Sequence, residues 1–341
     1  MKRLHWPWRR AASAERVVIA SHADRFVYAW SDAGGRLRRC GVEERGADSP
    51  ADFQRRLRAL GLPARGVVAV LPLADSQLLQ IEAPAVKPEE LKAAARWHIK
   101  DQIDGRLDEL TLDVMVVGDL QPRPNRQLFV VAARNEVIRA AAEGAQAVGL
   151  ELGVIDVAET SQRNLQTALT QAAGLADRAT AALVRHGPHA LLTICAGGEL
   201  YYARRIDWEA PPTAQPAPDI QPHGAELSFE DADFVDYGAD ADASPGGRDD
   251  EAPRLVIELQ RSFDLWERSW PDLPLAALWV QVGDDSEALA RMLAVTLGQR
   301  VGVLDPAEAL PGFEQAAPTP AVREAVLPIV GALLRQESRR L

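Results

Sequence analysis

Three short strands in immediate succession, met twice, constrain this chain more than any other feature. ERVVIAS (15–21), RFVYAWSD (25–32) and RLRRCGVEE (36–44) are runs of strand-forming residues separated by the turn-prone ADR and AGG. The pattern returns as TAALVRHG (180–187), ALLTICAG (190–197) and LYYARRID (200–207). After the first triplet, Ser49 and Pro50 open a helix through residue 60, with Ser as N-cap and Pro at the first helical position. GVVAVLP (66–72) is apolar throughout, as a strand buried on both faces should be. A helix at 135–148, a strand at 151–157 and a helix at 160–173 complete the first half. After the second triplet, Val256, Leu259, Phe263, Trp266 and Trp270 recur at steps of three and four, which predicts a helix over 255–270. LAALWVQVG (275–283), a helix at 286–297, VGVLD (301–305) and a helix at 321–336 follow. Each half thus reads β-β-β-α-β-α-β-α, a duplication carried by element order with no residue-level repeat.

Two stretches interrupt this order. Between the fourth strand and the next helix of the first half come a strand at 78–84, a helix starting at Pro88 with Leu91, Ala95, Ile99 and Ile103 on one face, and strands at 110–118 and 127–133. They form a small inserted α/β subdomain. In the second half, APPTAQPAPDIQP carries five prolines and runs into ten acidic residues and one basic residue between Glu226 and Glu251. Proline density, low hydropathy and self-repelling charge predict a disordered, solvated insertion. Its alternating Asp residues lack the spacing and closing Glu of a calcium-binding loop. The organisation read from sequence is a basic, aromatic tail at 1–14, a first lobe at 15–175 with its inserted subdomain at about 73–133, and a second lobe at 176–341 with its insertion at about 208–252.

Charge and composition then exclude whole classes. The acidic insertion holds nine of the eleven net negative charges, so the folded body is nearly neutral and nucleic acid is not an expected partner. No run approaches the length of a membrane span, and MKRLHWPWRR lacks the apolar core of a signal peptide, so a cytoplasmic chain is expected. In that start, Lys2, Arg3, Arg9 and Arg10 flank Trp6 and Trp8, which reads first as a frayed tail or one folded on the body, and second as a contact for an anionic membrane surface at about 1 kcal/mol per basic residue. Cys40 and Cys195 support neither a disulfide framework nor a four-thiolate zinc site, and both read as small core hydrophobes.

Two such lobes, with a subdomain inserted in the first, are the plan of the actin-like ATPase superfamily. QIEAPAVKPEELKAAARWHIKDQIDGRLDELTLDV resembles the inserted-subdomain region of the type IV pilus assembly protein PilM. It is closer still to the relative of that protein in the mannose-sensitive haemagglutinin (MSHA) pilus system, the biogenesis protein MshI. VVAARNEVIRAAAEGAQAVGLELGVIDV is similar to the segment that rejoins the first lobe in that family. ELYYARRID followed by VIELQRSFDLW resembles its pattern of a strand ending in Arg before a helix with Glu-x-x-Arg-Ser. The resemblance implies duplicated actin-like, ribonuclease H-like lobes and a peripheral place at the inner membrane. It also implies a partner, the N-terminal cytoplasmic tail of a bitopic PilN- or MshJ-like platform protein, docked in a groove of the first lobe.

The superfamily binds ATP and Mg²⁺ between its lobes through two Asp-x-Gly hairpins and a Gly-Gly adenosine turn. Carboxylates there organise the metal, and glycines let backbone N–H groups approach phosphate. Here the first hairpin has Ser21 and His22 where acid and glycine belong, with Asp24 displaced towards the turn. The second has Arg185 at the aspartate position and keeps Gly187. The adenosine turn keeps Gly283 but has Asp284 beside it. With all three loops degraded, the sequence predicts a scaffold without catalysis, cofactor or metal; an active ATPase or sugar-kinase-like phosphotransferase is the alternative that intact loops would have favoured. No dinucleotide turn, P-loop, HExxH or GxSxG is present, and His186 and His189 belong to a hairpin turn rather than a metal site. Trp97 lies off the Leu91/Ala95/Ile99 face of its helix and is the candidate anchor for the partner.

Deleting about 212–250 is expected to leave the melting temperature of the body within a few degrees of the parent, because loop length carries only a logarithmic entropy cost. A large fall would show that the segment packs on the lobes.

Overall fold

The computed structural model describes residues 15–103, 106–118, 126–208 and 251–336, without the side chains of 251–253. The expected N-terminal tail and acidic insertion lie outside the described residues. The first half runs β1 (Arg16–Ser21), β2 (Arg25–Ser31), β3 (Leu37–Glu44), α1 (Pro50–Arg58) and β4 (Val67–Leu71). The inserted elements are β5 (Ser76–Glu82), α2 (Leu91–His98), β6 (Leu110–Val116) and β7 (Gln127–Arg134). Then come α3 (Asn135–Ala147), β8 (Leu152–Val157) and α4 (Ala158–Ala172). The second half runs β9 (Ala179–His186), β10 (His189–Ala196), β11 (Glu199–Asp207), α5 (Glu251–Ser269), β12 (Leu275–Gln281), α6 (Ser286–Leu297), β13 (Val301–Val303), α7 (Phe313–Ala316) and α8 (Pro320–Val330).

The two halves fold alike. Lobe one has the strand order β3-β2-β1-β4-β8 and lobe two β11-β10-β9-β12-β13. In each, the first three strands pair antiparallel, because hairpins join them, and the last two join parallel through helical crossovers. The inserted strands form a separate sheet, β5-β7-β6, covered by α2. Leu91, Ala95, Ile99 and Ile103 all reach its core, although α2 ends at His98 and Pro88 to Glu90 form a tighter turn before it. The last helix is also shorter than its periodicity predicts. Pro328 removes a backbone donor, and beyond Val330 the chain tightens into a 3-10 turn at Gly331–Leu334.

Local chemistry explains most boundaries. The Ser49 hydroxyl accepts from Asp52 N at 3.2 Å and caps α1, and Arg58 at its far end reaches the Ala147 carbonyl that closes α3. On α5, Val256, Leu259, Phe263 and Trp266 are buried, and the Trp266 indole donates to Leu273 O at 2.9 Å. The Glu-x-x-Arg-Ser pattern has a structural role. Arg204 of β11 pairs with Glu258, and the Tyr202 hydroxyl lies 3.3 Å from Ser262 Oγ, so the motif fastens α5 to its own sheet.

The centre of the molecule is α4. It is buried along most of its length although its sequence is mainly polar. Leu165 and Leu169 enter the apolar layer between the lobes, together with α8 and the inner faces of both sheets. Two of its glutamines face lobe two. Gln162 Nε2 donates to Ala182 O, Leu191 O and Thr193 Oγ1 at 3.1, 3.0 and 2.9 Å. Gln166 Nε2 donates to Thr180 O at 2.7 Å, and its Oε1 accepts from Thr193 at 2.6 Å. The turn after α8 crosses α4 with no room to spare. A Cβ on Gly331 would lie 1.9 Å from Ser161 O, so glycine is required there by close approach, its φ of −62° being ordinary.

Gly331→Ala is therefore expected to cost about 3 kcal/mol or more, the upper range for overpacking, because the obstacle is a helix carbonyl that cannot yield. Urea unfolding of parent and variant measures it; a loss below about 1 kcal/mol would mean that the crossing is loose.

Candidate functional site

Two places could host chemistry: the lobe-two loops that the sequence aligns with a nucleotide site, and a cavity in lobe one. In lobe two, the β9–β10 hairpin turns at Gly187, whose φ is +63°, and Arg185 Nε donates to Gly187 O at 3.2 Å. Arg185 Nη1 lies 4.0 Å from the position a Cβ on Gly283 would take, so the structure brings together the second hairpin and the turn after β12. That turn satisfies itself. Gly283 N donates to Gln281 Oε1 at 2.8 Å, and Ser286 Oγ accepts from Val282 N at 2.9 Å. The glycine N–H that could meet a ligand is bonded to its own strand, and Asp284 stands exposed beside it.

The first hairpin faces another way. Ser21 and His22 line a cavity of about 490 Å³ on the outer face of lobe one, between α1 and α3, and the Asp24 carbonyl accepts from Arg45 N at 2.7 Å. Ile19, Phe53, Leu57 and Val137 supply apolar walls, whereas His22, Arg45, Gln54 and Asp75 make part of the lining polar. Arg45 Nε has no hydrogen-bond partner among the described residues. The cavity exists because α3 presents small residues there: Val137, Ala141, Gly144 and Val148 share one face, and a Cβ on Gly144 would sit 3.3 Å from Ser21 Oγ. That stripe was readable in AAAEGA, but its meaning depends on α1 standing opposite.

Trp97 is 71% exposed on α2, as its place off the apolar face predicts. It does not line the cavity, which reaches the inserted subdomain only at its approach, Pro72 and Asp75. The pattern reading missed two acids at the junction of β8 and α4. Asp156 accepts from Val157 N and from the Thr160 hydroxyl, and Arg335 Nη1 lies 3.6 Å from its other oxygen. Glu159, with 2% of its side chain exposed, is 3.2 Å from Arg205 Nη2; burial raises its pKa and the Arg205 cation opposes the rise. Among the described residues no cluster of three or more His, Cys, Asp or Glu could hold a metal. Burial pushes the Cys40 thiol up to about 11 and Cys195 up to about 12, so neither forms a thiolate readily.

The same architecture occurs in solved structures. A chain of the PilM–PilN type IV pilus biogenesis complex superposes with a TM-score of 0.65 at 17% identity, over 95% of this chain and 100% of that one. With the duplicated strand order, this decides the fold. The chain has the actin-like fold. A Bacteroides thetaiotaomicron protein of actin-like ATPase fold and unknown function matches with a TM-score of 0.48 at 10% identity, over 89% of this chain and 95% of its own. The cytoplasmic domain of EpsL, an inner-membrane component of the Vibrio cholerae type II secretion system, matches with a TM-score of 0.40 at 14% identity, over 57% of this chain and 71% of that one. The chain matches no protein-family model and no curated protein sequence. No helix among the described residues is long and apolar enough to cross a membrane.

His186, at the β9–β10 hairpin, carries a measurable signature. Burial first, and the Arg205 cation second, lower its pKa from 6.5 to about 4, and its Nε2 lies 3.3 Å from Gln162 Oε1. The unfolded chain takes up a proton that the native state refuses, so stability is complete above pH 6.5 and falls by about 3 kcal/mol as the pH drops towards 4. His186→Gln, which can still donate to Gln162, should flatten the unfolding free energy across that window. An equal slope in parent and variant would show that the ring is solvated.

Proposed function

We propose that this protein is a non-catalytic scaffold of a type IV pilus platform, of the MSHA kind. It seats the N-terminal cytoplasmic tail of a bitopic, PilN- or MshJ-like membrane protein in the lobe-one cavity. In this reading it is cytoplasmic and held peripherally at the inner membrane by that partner. The observation that carries the reading is the full-length superposition on a chain of the PilM–PilN complex. Two further features support it. The apolar walls and polar lining of the cavity, with an unpartnered guanidinium nitrogen on Arg45, suit a short peptide that brings an apolar side chain and hydrogen-bonding backbone. The lobe-two loops spend on themselves the donors a nucleotide would need: Gly283 N on Gln281, and Arg185 on Gly187 O. A nucleotide there would have to break those bonds and would find no carboxylate at position 185 to hold Mg²⁺. Exposed Trp97 serves as a second contact for the tail or for the body of the partner.

The test is capture of membrane proteins by the purified chain, peptide mapping of the captured partner, and titration of its cytoplasmic tail as a synthetic peptide. Ala141→Phe fills the cavity and is expected to weaken tail binding at least tenfold without lowering the melting temperature. Trp97→Ala should leave the melt unchanged, since the side chain is exposed, and reduce capture more modestly. Calorimetry with ATP and Mg²⁺ should show no micromolar binding, and phosphate release should stay at background. If the tail binds equally well to the Ala141→Phe protein, the cavity is not its seat. Micromolar ATP binding with turnover would favour the phosphotransferase reading.

A further inference from the structure

The inserted subdomain leaves and re-enters lobe one, yet one face of its sheet is packed on lobe two. Val117 and Phe129 belong to the same apolar cluster as β9–β12 and α5. Gly118, just after β6 and with φ +63°, sits against the ring edges of Tyr201 on β11 and Trp270 beyond α5. A Cβ there would lie 2.7 Å from Tyr201 and 3.0 Å from Trp270. Those rings are themselves fixed, with Tyr201 edge-on to Trp266 and Trp270 at 5.7 and 4.5 Å.

A polar contact reinforces the apolar one. Arg205 projects from β11 of lobe two, and its Nη2 donates to Ser76 O at the start of β5 at 2.5 Å and to Glu159 Oε1 of α4 at 3.2 Å. One guanidinium thereby joins lobe two, the inserted subdomain and the last helix of lobe one. Its partners are buried, and a buried carboxylate left without its cation is costly, so the joint resists opening. Near the same end of α4, Arg335 pairs with Asp156 of β8, and Arg16 of β1 donates to the carbonyls of Leu333 and Arg335, which fastens the last turn of the chain to lobe one.

We propose that the inserted subdomain is an interlobe brace, clasped by Arg205 and seated at Gly118, that adds to the α4 contacts in holding the two lobes in one arrangement. Lobe two then moves only with the subdomain. The inference stands whatever fills the lobe-one cavity.

Paired spin labels on the full chain test it. Arg65→Cys in lobe one and Val295→Cys in lobe two provide exposed attachment points, while both native thiols are buried and resist labelling. The parent is expected to show one narrow distance distribution. Arg205→Met combined with Glu159→Gln removes the clasp without leaving a buried charge, and should broaden that distribution. It should also raise amide exchange in α4 and β11 at least tenfold, with β1 and β4 unchanged. Gly118→Ala, which pushes the subdomain off Tyr201, should do the same and decides the matter alone if the paired variant does not fold. A broad distribution in the parent, or an unchanged narrow one in folded variants, would overturn the brace.

Discussion

A polar helix buried between two lobes is the constraint on which this structure depends. Each amide or hydroxyl of α4 that left water without a partner would cost about 1–3 kcal/mol, enough in sum to undo a domain of ordinary stability. Gln162 and Gln166 avoid that cost by bonding to carbonyls and hydroxyls of β9 and β10. The solution is directional, unlike an apolar interface, and it fixes how lobe one sits on lobe two. The close crossing at Gly331 and the pairing of Asp156 with Arg335 follow from the same placement, because both occur where α4 meets the end of the chain's last helix.

That placement separates the two candidate sites. The lobe-two loops are bonded to themselves, and the hairpin arginine lies beside a turn whose glycine N–H is already taken by its own strand. The open volume lies instead on the outer face of lobe one, where α3 is thin and α1 cannot close the gap. The first hairpin has turned from one site to the other: Ser21 and His22, read as remnants of a phosphate loop, are cavity wall.

Motifs that mark a family need not mark a site. The strand-Arg and Glu-x-x-Arg-Ser pattern is a partly buried ion pair with a hydroxyl beside it, holding α5 to β11. Its neighbour Arg205, one residue along the same strand, points to the other face and reaches the inserted subdomain and Glu159. Period-two alternation sends adjacent arginines to opposite faces of a sheet. A sequence reading records them as a pair, while the structure gives them unrelated tasks.

Much of the architecture was legible before any coordinate. Strand triplets, the proline-opened α1, the three-and-four spacing of α5 and the fully apolar β4 are local signals, set by backbone sterics and by which side chains avoid water. The same logic placed Trp97 outside the subdomain core and the two cysteines inside. Local patterning could not reveal the burial of α4, whose composition reads as a surface helix, because its partners are strands from the other lobe and only their arrival gives Gln162 and Gln166 their hydrogen bonds. Nor could it reveal the cavity, since a run of small residues is a gap only when something stands opposite. Sequence determined which segments are helix or strand and which residues prefer the interior. Tertiary structure decided which polar groups could afford to be there, because hydrogen-bond partners distant in the chain meet only after it has folded.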